Sequence, residues 1–192
     1  MRWILSPFGS RMTIFASMMD CNIVTLERHR LDRVHEDYVD LKIHKQKGIK
    51  MNKIAVVFWT GTGNTEIMAN EVVAGASAAG AEVTLFNTSS FKVESANDFD
   101  KFALGCPAMG AEELEDSEFQ PLYDQLKAQI SGKKVVLFGS YGWGGGEWMN
   151  PWKEDAANAG LVLADDPLAI ESAPDDDGKA KCRELGKVLA LS

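Results

Sequence analysis

A short apolar run that stops abruptly at a loop of small hydrogen-bond donors constrains this chain more than any other stretch. Lys53-Ile-Ala-Val-Val-Phe-Trp59 gives way to Thr60-Gly-Thr-Gly-Asn-Thr65. Glu66 to Ala79 then reads as a helix, with Met68, Val72, Ala76 and Ala79 on one apolar stripe. Strand, donor-rich loop and helix together make a phosphate-holding geometry. The first amides of a helix lack internal partners, and its positive dipole end faces the same point. Gly61 and Gly63 allow close backbone approach, and Thr60, Thr62, Asn64 and Thr65 add side-chain donors. A triphosphate loop would carry a Lys after its second Gly, yet neither Lys nor Arg occurs between Lys53 and Lys92. A dinucleotide fingerprint would carry a third Gly where Glu66 stands. The loop therefore favours a single phosphate held by neutral donors. Taken alone, it also fits an ordinary polar turn before a helix.

Charge divides the chain in two. Residues 1–50 hold nine Lys/Arg and six Asp/Glu, a net of +3; residues 51–192 hold eleven and twenty-two, a net of −11. His29, His35 and His44 all lie in the first part. An acidic body without clustered cations argues against nucleic acid as a partner and for a protein that is basic at its docking face. The absence of His from the body also removes the commonest general base. Cys21, Cys106 and Cys182 are too few and too scattered for a disulfide framework or a zinc site, which fits a reducing cytoplasm. No run of eighteen apolar residues exists to span a membrane. Residues 1–50 are expected to be an extension without a function of its own, the product of a misassigned upstream start. A real appendage that docks a partner is the alternative.

From Met51 the pattern alternates. Strands are predicted at Lys53–Trp59, Glu82–Phe86, Phe99–Leu104 and Val135–Phe138. Leu161–Leu163 and Leu168–Ile170 share a fifth, broken at Asp165-Asp166-Pro167. Helices are predicted at Glu66–Ala79, Glu118–Ile130, Glu147–Ala159 and Asp175–Leu191. Asn87–Ser95 reads as a polar connection, and Cys106–Ser117 and Gly139–Gly146 as loops. Uniformly apolar strands between helices imply an α/β, doubly wound, five-stranded parallel sheet covered on both faces. Ligands in such sheets bind beyond the carboxyl ends of the strands, where the loops after strands one, three and four meet.

Those other two loops carry the remaining chemistry. Gly105-Cys-Pro-Ala-Met-Gly-Ala-Glu-Glu113 offers the soft side chain of Met109, the pliable Gly110 and the carboxylate of Glu112. Gly139-Ser-Tyr-Gly-Trp-Gly-Gly-Gly-Glu-Trp148 sets Trp143 between glycines, so its own neighbours cannot bury it. Together they make a slot for a flat ring. Trp148 and Trp152, four apart on a helix, read as core, whereas Trp59 and Tyr141 fit either role.

The three stretches Thr60-Gly-Thr-Gly-Asn-Thr65, Gly105-Cys-Pro-Ala-Met-Gly110 and Gly139-Ser-Tyr-Gly-Trp-Gly144 resemble those of short-chain bacterial flavodoxins of anaerobes, from about Met51 to Ser192. Flavodoxins are a type case of the doubly wound rule, so the resemblance also implies strand order 2-1-3-4-5. It implies non-covalently bound FMN, no catalytic residue and no metal. Cofactor-binding residues by this resemblance are Thr60, Gly61, Thr62, Gly63, Asn64, Thr65, Pro107, Ala108, Met109, Gly110, Glu112, Ser140, Tyr141, Gly142, Trp143 and Gly144. The ring would lie between Met109 and Trp143, with flavin N3–H donating to Glu112. The Gly110 carbonyl would accept from N5–H of the semiquinone. Ala111 stands where some members carry Asp, and Pro107 where some carry Ser.

The implied function is low-potential one-electron carriage between semiquinone and hydroquinone. The expected molecule is a cytoplasmic monomer that serves redox partner proteins and stands in for ferredoxin. An FMN-dependent quinone reductase would share the first loop but needs a substrate site. A receiver-type phosphate module would need acidic residues where Thr60-Gly61 and Cys106-Pro107 stand.

Overall fold

Apolar strands closed on both faces by helices give the layout that the pattern demands. The computed structural model of the chain describes residues 51–192, and the reading of residues 1–50 lies outside the described residues. The strands are β1 (Lys53–Phe58), β2 (Glu82–Asn87), β3 (Lys101–Gly105), β4 (Lys134–Tyr141), β5 (Val162–Leu163) and β6 (Leu168–Glu171). The helices are α1 (Asn64–Ala78), α2 (Phe119–Gln129), α3 (Met149–Asn158) and α4 (Asp176–Leu191). All pairings are parallel, in the order β2-β1-β3-β4-β5, which is the flavodoxin-like order. β5 pairs with Lys134 and Val135, and β6 pairs with Phe138 to Tyr141. The two therefore act as one interrupted edge position, split where Pro167 would break a ladder.

The period-two alternation of a strand sends neighbouring side chains to opposite faces. Ala55, Val57, Phe102, Leu104, Val135 and Leu137 meet Phe119, Tyr123, Leu126, Trp148 and Trp152 of the α2–α3 side. Ile54, Val56, Phe58, Ala103, Val136 and Phe138 meet Met68, Val72, Ala76, Leu185 and Leu189 of the α1–α4 side. Trp148 and Trp152 are thus core, as their spacing requires. Lys101, at the start of β3, reaches the carboxyl end of α4. Its Nζ donates to the carbonyls of Leu189, Ala190 and Ser192 at 2.9, 3.0 and 2.7 Å, where the helix dipole favours a cation.

Several boundaries differ from the sequence expectation: the third strand starts at Lys101 rather than Phe99, α3 starts at Met149 rather than Glu147, and further differences bear on the site. β4 continues through Gly139, Ser140 and Tyr141, because β6 supplies a partner for each of them. α1 starts at Asn64, two residues early, so the donor loop already contains the first turn of the helix. The polar connection before β3 holds a 3-10 helix, Val93–Asp98, which buries Val93 and Ala96.

Glu115 starts α2 from outside. Its carboxylate accepts from the amides of Ser117, Glu118 and Phe119 at 2.9, 2.8 and 2.8 Å, and from the Ser117 hydroxyl. Burial pushes this carboxyl up, but the four donors outweigh it and hold the group below its ordinary value near 4.5. A carboxyl depressed in the folded state stabilises folding above its unfolded pKa. That contribution fades as pH falls through the lowered value. Glu115→Gln is expected to remove about 1 kcal/mol at pH 7. Urea unfolding should show the gap between the two proteins shrinking below about pH 4 as the wild-type carboxyl takes up its proton.

Candidate functional site

Ser140 joins the three loops that the sequence assigns to one edge of the sheet. Its buried hydroxyl lies 3.3 Å from that of Thr65 in the first turn of α1, and its carbonyl accepts from Ala108 N–H at 2.9 Å. β4 therefore fastens the loop after β3 on one side and the start of α1 on the other. Two glycines make this approach possible through space alone. A Cβ on Gly105 would lie 2.4 Å from the Phe138 ring, and one on Gly139 would lie 2.0 Å from the Cys106 carbonyl oxygen.

The first loop is shaped from within. Gly63 N–H donates to Thr60 Oγ1 at 3.0 Å, and its carbonyl accepts the first helical bond from Ile67 at 3.0 Å. Gly63 stands at the N-cap with φ +92°, and no side chain caps α1. The amides of the first turn thus face outward, as an anion requires. Thr60 and Asn64 are half-buried, Gly61 and Thr62 are exposed and Thr65 is buried. Gly61 lies over the Trp59 ring, where an added Cβ would be 3.1 Å from the indole. Trp59 packs against the core on the α2–α3 side and forms a floor to the loop.

The second loop closes on itself. Met109 and Glu113 exchange both backbone hydrogen bonds, at 2.9 and 3.0 Å, and so pinch off Gly110, Ala111 and Glu112 as a tight turn. The turn requires positive φ at Gly110 (+48°) and at Glu112 (+61°), the second an uncommon conformation for a side-chain-bearing residue. Met109 is left 38% exposed. Pro107 and Ala108 are half-buried beside it, with Ala108 packed on the core. Cys106 beneath is fully buried, and burial pushes its thiol up to about 12. It is therefore a neutral packing group rather than a nucleophile.

In the third loop Trp143 is extended (φ −161°, ψ 178°) and 65% exposed. Gly142 beside it is exposed, and Gly144, Gly145 and Gly146 follow as a turn with all three at positive φ (+82°, +75° and +86°). Tyr141, ambiguous in sequence, is half-buried against Trp148, with ring centroids 5.8 Å apart. A contact that sequence reasoning missed links the second and third loops. Trp148 N–H donates to Glu112 Oε2 at 3.2 Å, and the same carboxylate lies where a Cβ on Gly144 would be. The two residues are 36 apart in the chain, and nothing in their local pattern marks them as a pair.

The edge thus combines an uncapped helix start, a ring of hydroxyls, two exposed soft or aromatic side chains and a carboxylate held by a backbone amide. These parts suit a phosphate joined to a flat heteroaromatic ring. Among the described residues no helix is long and apolar enough to cross a membrane.

Comparison with known proteins agrees with this geometry. The Flavodoxin family model matches residues 56–186. The flavodoxin of Megasphaera elsdenii is 44% identical over 137 residues, covering 71% of this chain and 98% of that protein. The flavodoxin of Clostridium beijerinckii is 43% identical over 135 residues, covering 70% and 97%. In three dimensions the chain is similar to two-electron reduced M. elsdenii flavodoxin, with a TM-score of 0.66 at 45% identity, covering 72% of this chain and 99% of that one. The chain belongs to the flavodoxin family of flavin-binding electron-transfer proteins, which are carriers and not enzymes.

Proposed function

We propose that residues 51–192 are the working domain of a low-potential, one-electron carrier whose flavin is FMN. The observation that carries this reading is the meeting of three loops at Ser140, with a helix start on one side and exposed Met109 and Trp143 beyond it. FMN, when bound, supplies the one-electron chemistry. The amides of the first turn of α1, with Thr60, Thr62, Asn64, Thr65 and Ser140, hold its phosphate without any cation. Gly61 and Gly63 bring the backbone close. Met109 and Trp143 flank the ring and exclude water from its faces. Pro107, Ala108, Tyr141, Gly142 and Gly144 shape the slot walls. Glu112 accepts from flavin N3–H. Gly110 has open space around its α-carbon, and its peptide can turn to present the carbonyl to a proton on N5.

The slot also biases the energetics. The Glu112 carboxylate would stand beside the ring and disfavour added negative charge there, which would lower the potential of the second reduction. Surface charges beyond about 8–10 Å are screened, so the near carboxylate and ring stacking outweigh the net −11 of residues 51–192. Exposed Glu113 and Glu147 flank the Met109 and Trp143 loops and favour redox partners that are basic at the docking face. Among the described residues Cys106 and Cys182 are free and buried, which fits a reducing cytoplasm, and a monomer is the working state.

Stepwise anaerobic reduction followed by visible absorption tests this reading. A yellow protein that turns blue before it bleaches supports one-electron carriage. Yellow passing straight to colourless overturns it in favour of two-electron chemistry, and a protein that stays colourless after added FMN overturns flavin binding. A chain beginning at Met51 is expected to bind FMN as tightly as the full chain, and a loss of affinity would give residues 1–50 a role.

A further inference from the structure

The Glu112 carboxylate is held by a contact and a gap. The contact is the Trp148 amide, 3.2 Å from Oε2. The gap is Gly144. A Cβ built there would lie 2.2 Å from Glu112 Oε1, 2.4 Å from Cδ and 2.9 Å from Cγ. No side chain fits at those distances, so the space above Gly144 belongs to the carboxylate. Gly144 also sits at φ +82°, and its neighbour Gly145 at φ +75°, but a Cβ on Gly145 would meet nothing within 4 Å. The two glycines share one backbone demand and differ in one respect, the Glu112 side chain.

We infer that Gly144 is a positioning residue. By lacking a Cβ it leaves the place that the Glu112 carboxylate occupies, and the Trp148 amide then fixes that carboxylate toward the flavin ring. The inference rests on the proposal that Glu112 accepts from the ring's N3–H. It extends that proposal to two residues that do not themselves receive the proton. The backbone of Glu112, at φ +61°, is consistent with such a constraint, because a side chain held at its far end can keep its residue in a conformation it would otherwise leave. An alanine at position 144 meets the end of a flexible side chain rather than backbone. Glu112 therefore swings away, and the fold is retained.

The test compares Gly144→Ala with Gly145→Ala, each alone and combined with Glu112→Ala, by titration of the apoprotein with FMN. Gly144→Ala is expected to weaken binding about tenfold, the scale of a hydrogen bond to a charged group. Gly145→Ala carries the same backbone strain but meets no Glu112 side chain, and is expected to weaken binding clearly less than Gly144→Ala. With Glu112→Ala in place, the two glycine variants should become equal. A second readout needs no flavin. The Trp148 amide should exchange with deuterium faster in Gly144→Ala and Glu112→Ala apoprotein than in Gly145→Ala. Equal effects of the two glycine variants, or a Gly144→Ala loss that persists without Glu112, would overturn the assignment. If the native protein took up no FMN, the proposed function would fail, and Trp148 exchange would still decide the role of Gly144.

Discussion

Trp143→Ala is expected to weaken FMN binding about a hundredfold while leaving the apoprotein as stable as before. The two halves of this result have separate causes. The side chain is 65% exposed, on extended backbone between Gly142 and Gly144, so removing it opens no cavity. Exposed substitutions away from special backbone usually stay within about 0.5 kcal/mol. Covering one face of the ring with a flavin removes about 100 Å² of apolar surface from water. At about 25 cal/mol per Å² that is about 2.5 kcal/mol, close to a hundredfold in Kd. Trp148→Ala would reverse the pattern, because Trp148 is 1% exposed and packed in the core. Its loss should remove about 3–5 kcal/mol of stability before any flavin is considered. Flavin titration and thermal unfolding of both apoproteins separate these outcomes. Unchanged affinity in Trp143→Ala would take the indole away from the ring. A marked fall in apoprotein stability would make it a packing residue.

What was legible in the sequence followed from periodicity and punctuation. β1, β3 and β4 read as central strands because each holds an unbroken apolar run (Ile54–Phe58, Phe102–Leu104 and Val135–Phe138), and the structure buries both faces of those runs. Met68, Val72 and Ala76 fell on one helix face and are fully buried. Strand order was different in kind: alternation alone does not fix it, and it came from the resemblance of three loops. The failures are of two sorts. Gly139 looked like the start of a loop, but it is glycine because the Cys106 carbonyl lies where a Cβ would go, and the strand runs on past it. Local propensity cannot report a requirement set by a neighbouring strand. The other misses are pairings: Glu112 with the Trp148 amide, Thr65 with Ser140, and Glu115 with the start of α2. Glu115 left a faint local trace, a carboxylate four residues before Phe119. The first two pairs span 36 and 75 residues and exist only once the sheet has formed.

Gly75→Ala is expected to destabilise the protein by about 3 kcal/mol, against the usual gain from placing alanine in a helix. In an exposed helix this exchange stabilises by about 1 kcal/mol. Here a Cβ would lie 1.9 Å from the Arg183 carbonyl oxygen of α4, and a Cβ on Gly186 would lie 2.1 Å from the Val72 carbonyl oxygen of α1. The two helices cross backbone to backbone at these glycines, so no side chain can give way. Relief requires the axes to part, which pulls Met68, Val72 and Ala76 away from Leu185 and Leu189. Overpacking of this kind costs about 1–3 kcal/mol or more, and rigid backbone on both sides puts it at the upper end. For a domain of this size the fall in Tm should be about 10 °C. Ser77→Ala, on the exposed face of the same helix, supplies the control and should be neutral or slightly stabilising. The pair Gly75→Ala and Gly186→Ala should cost less together than the sum of the two, because one separation of the helices relieves both clashes. Since α1 carries Asn64 and Thr65 at its first turn, the same displacement should also weaken FMN binding. Strict additivity, or a Tm unchanged in Gly75→Ala, would mean that the helices are not in backbone contact at this crossing.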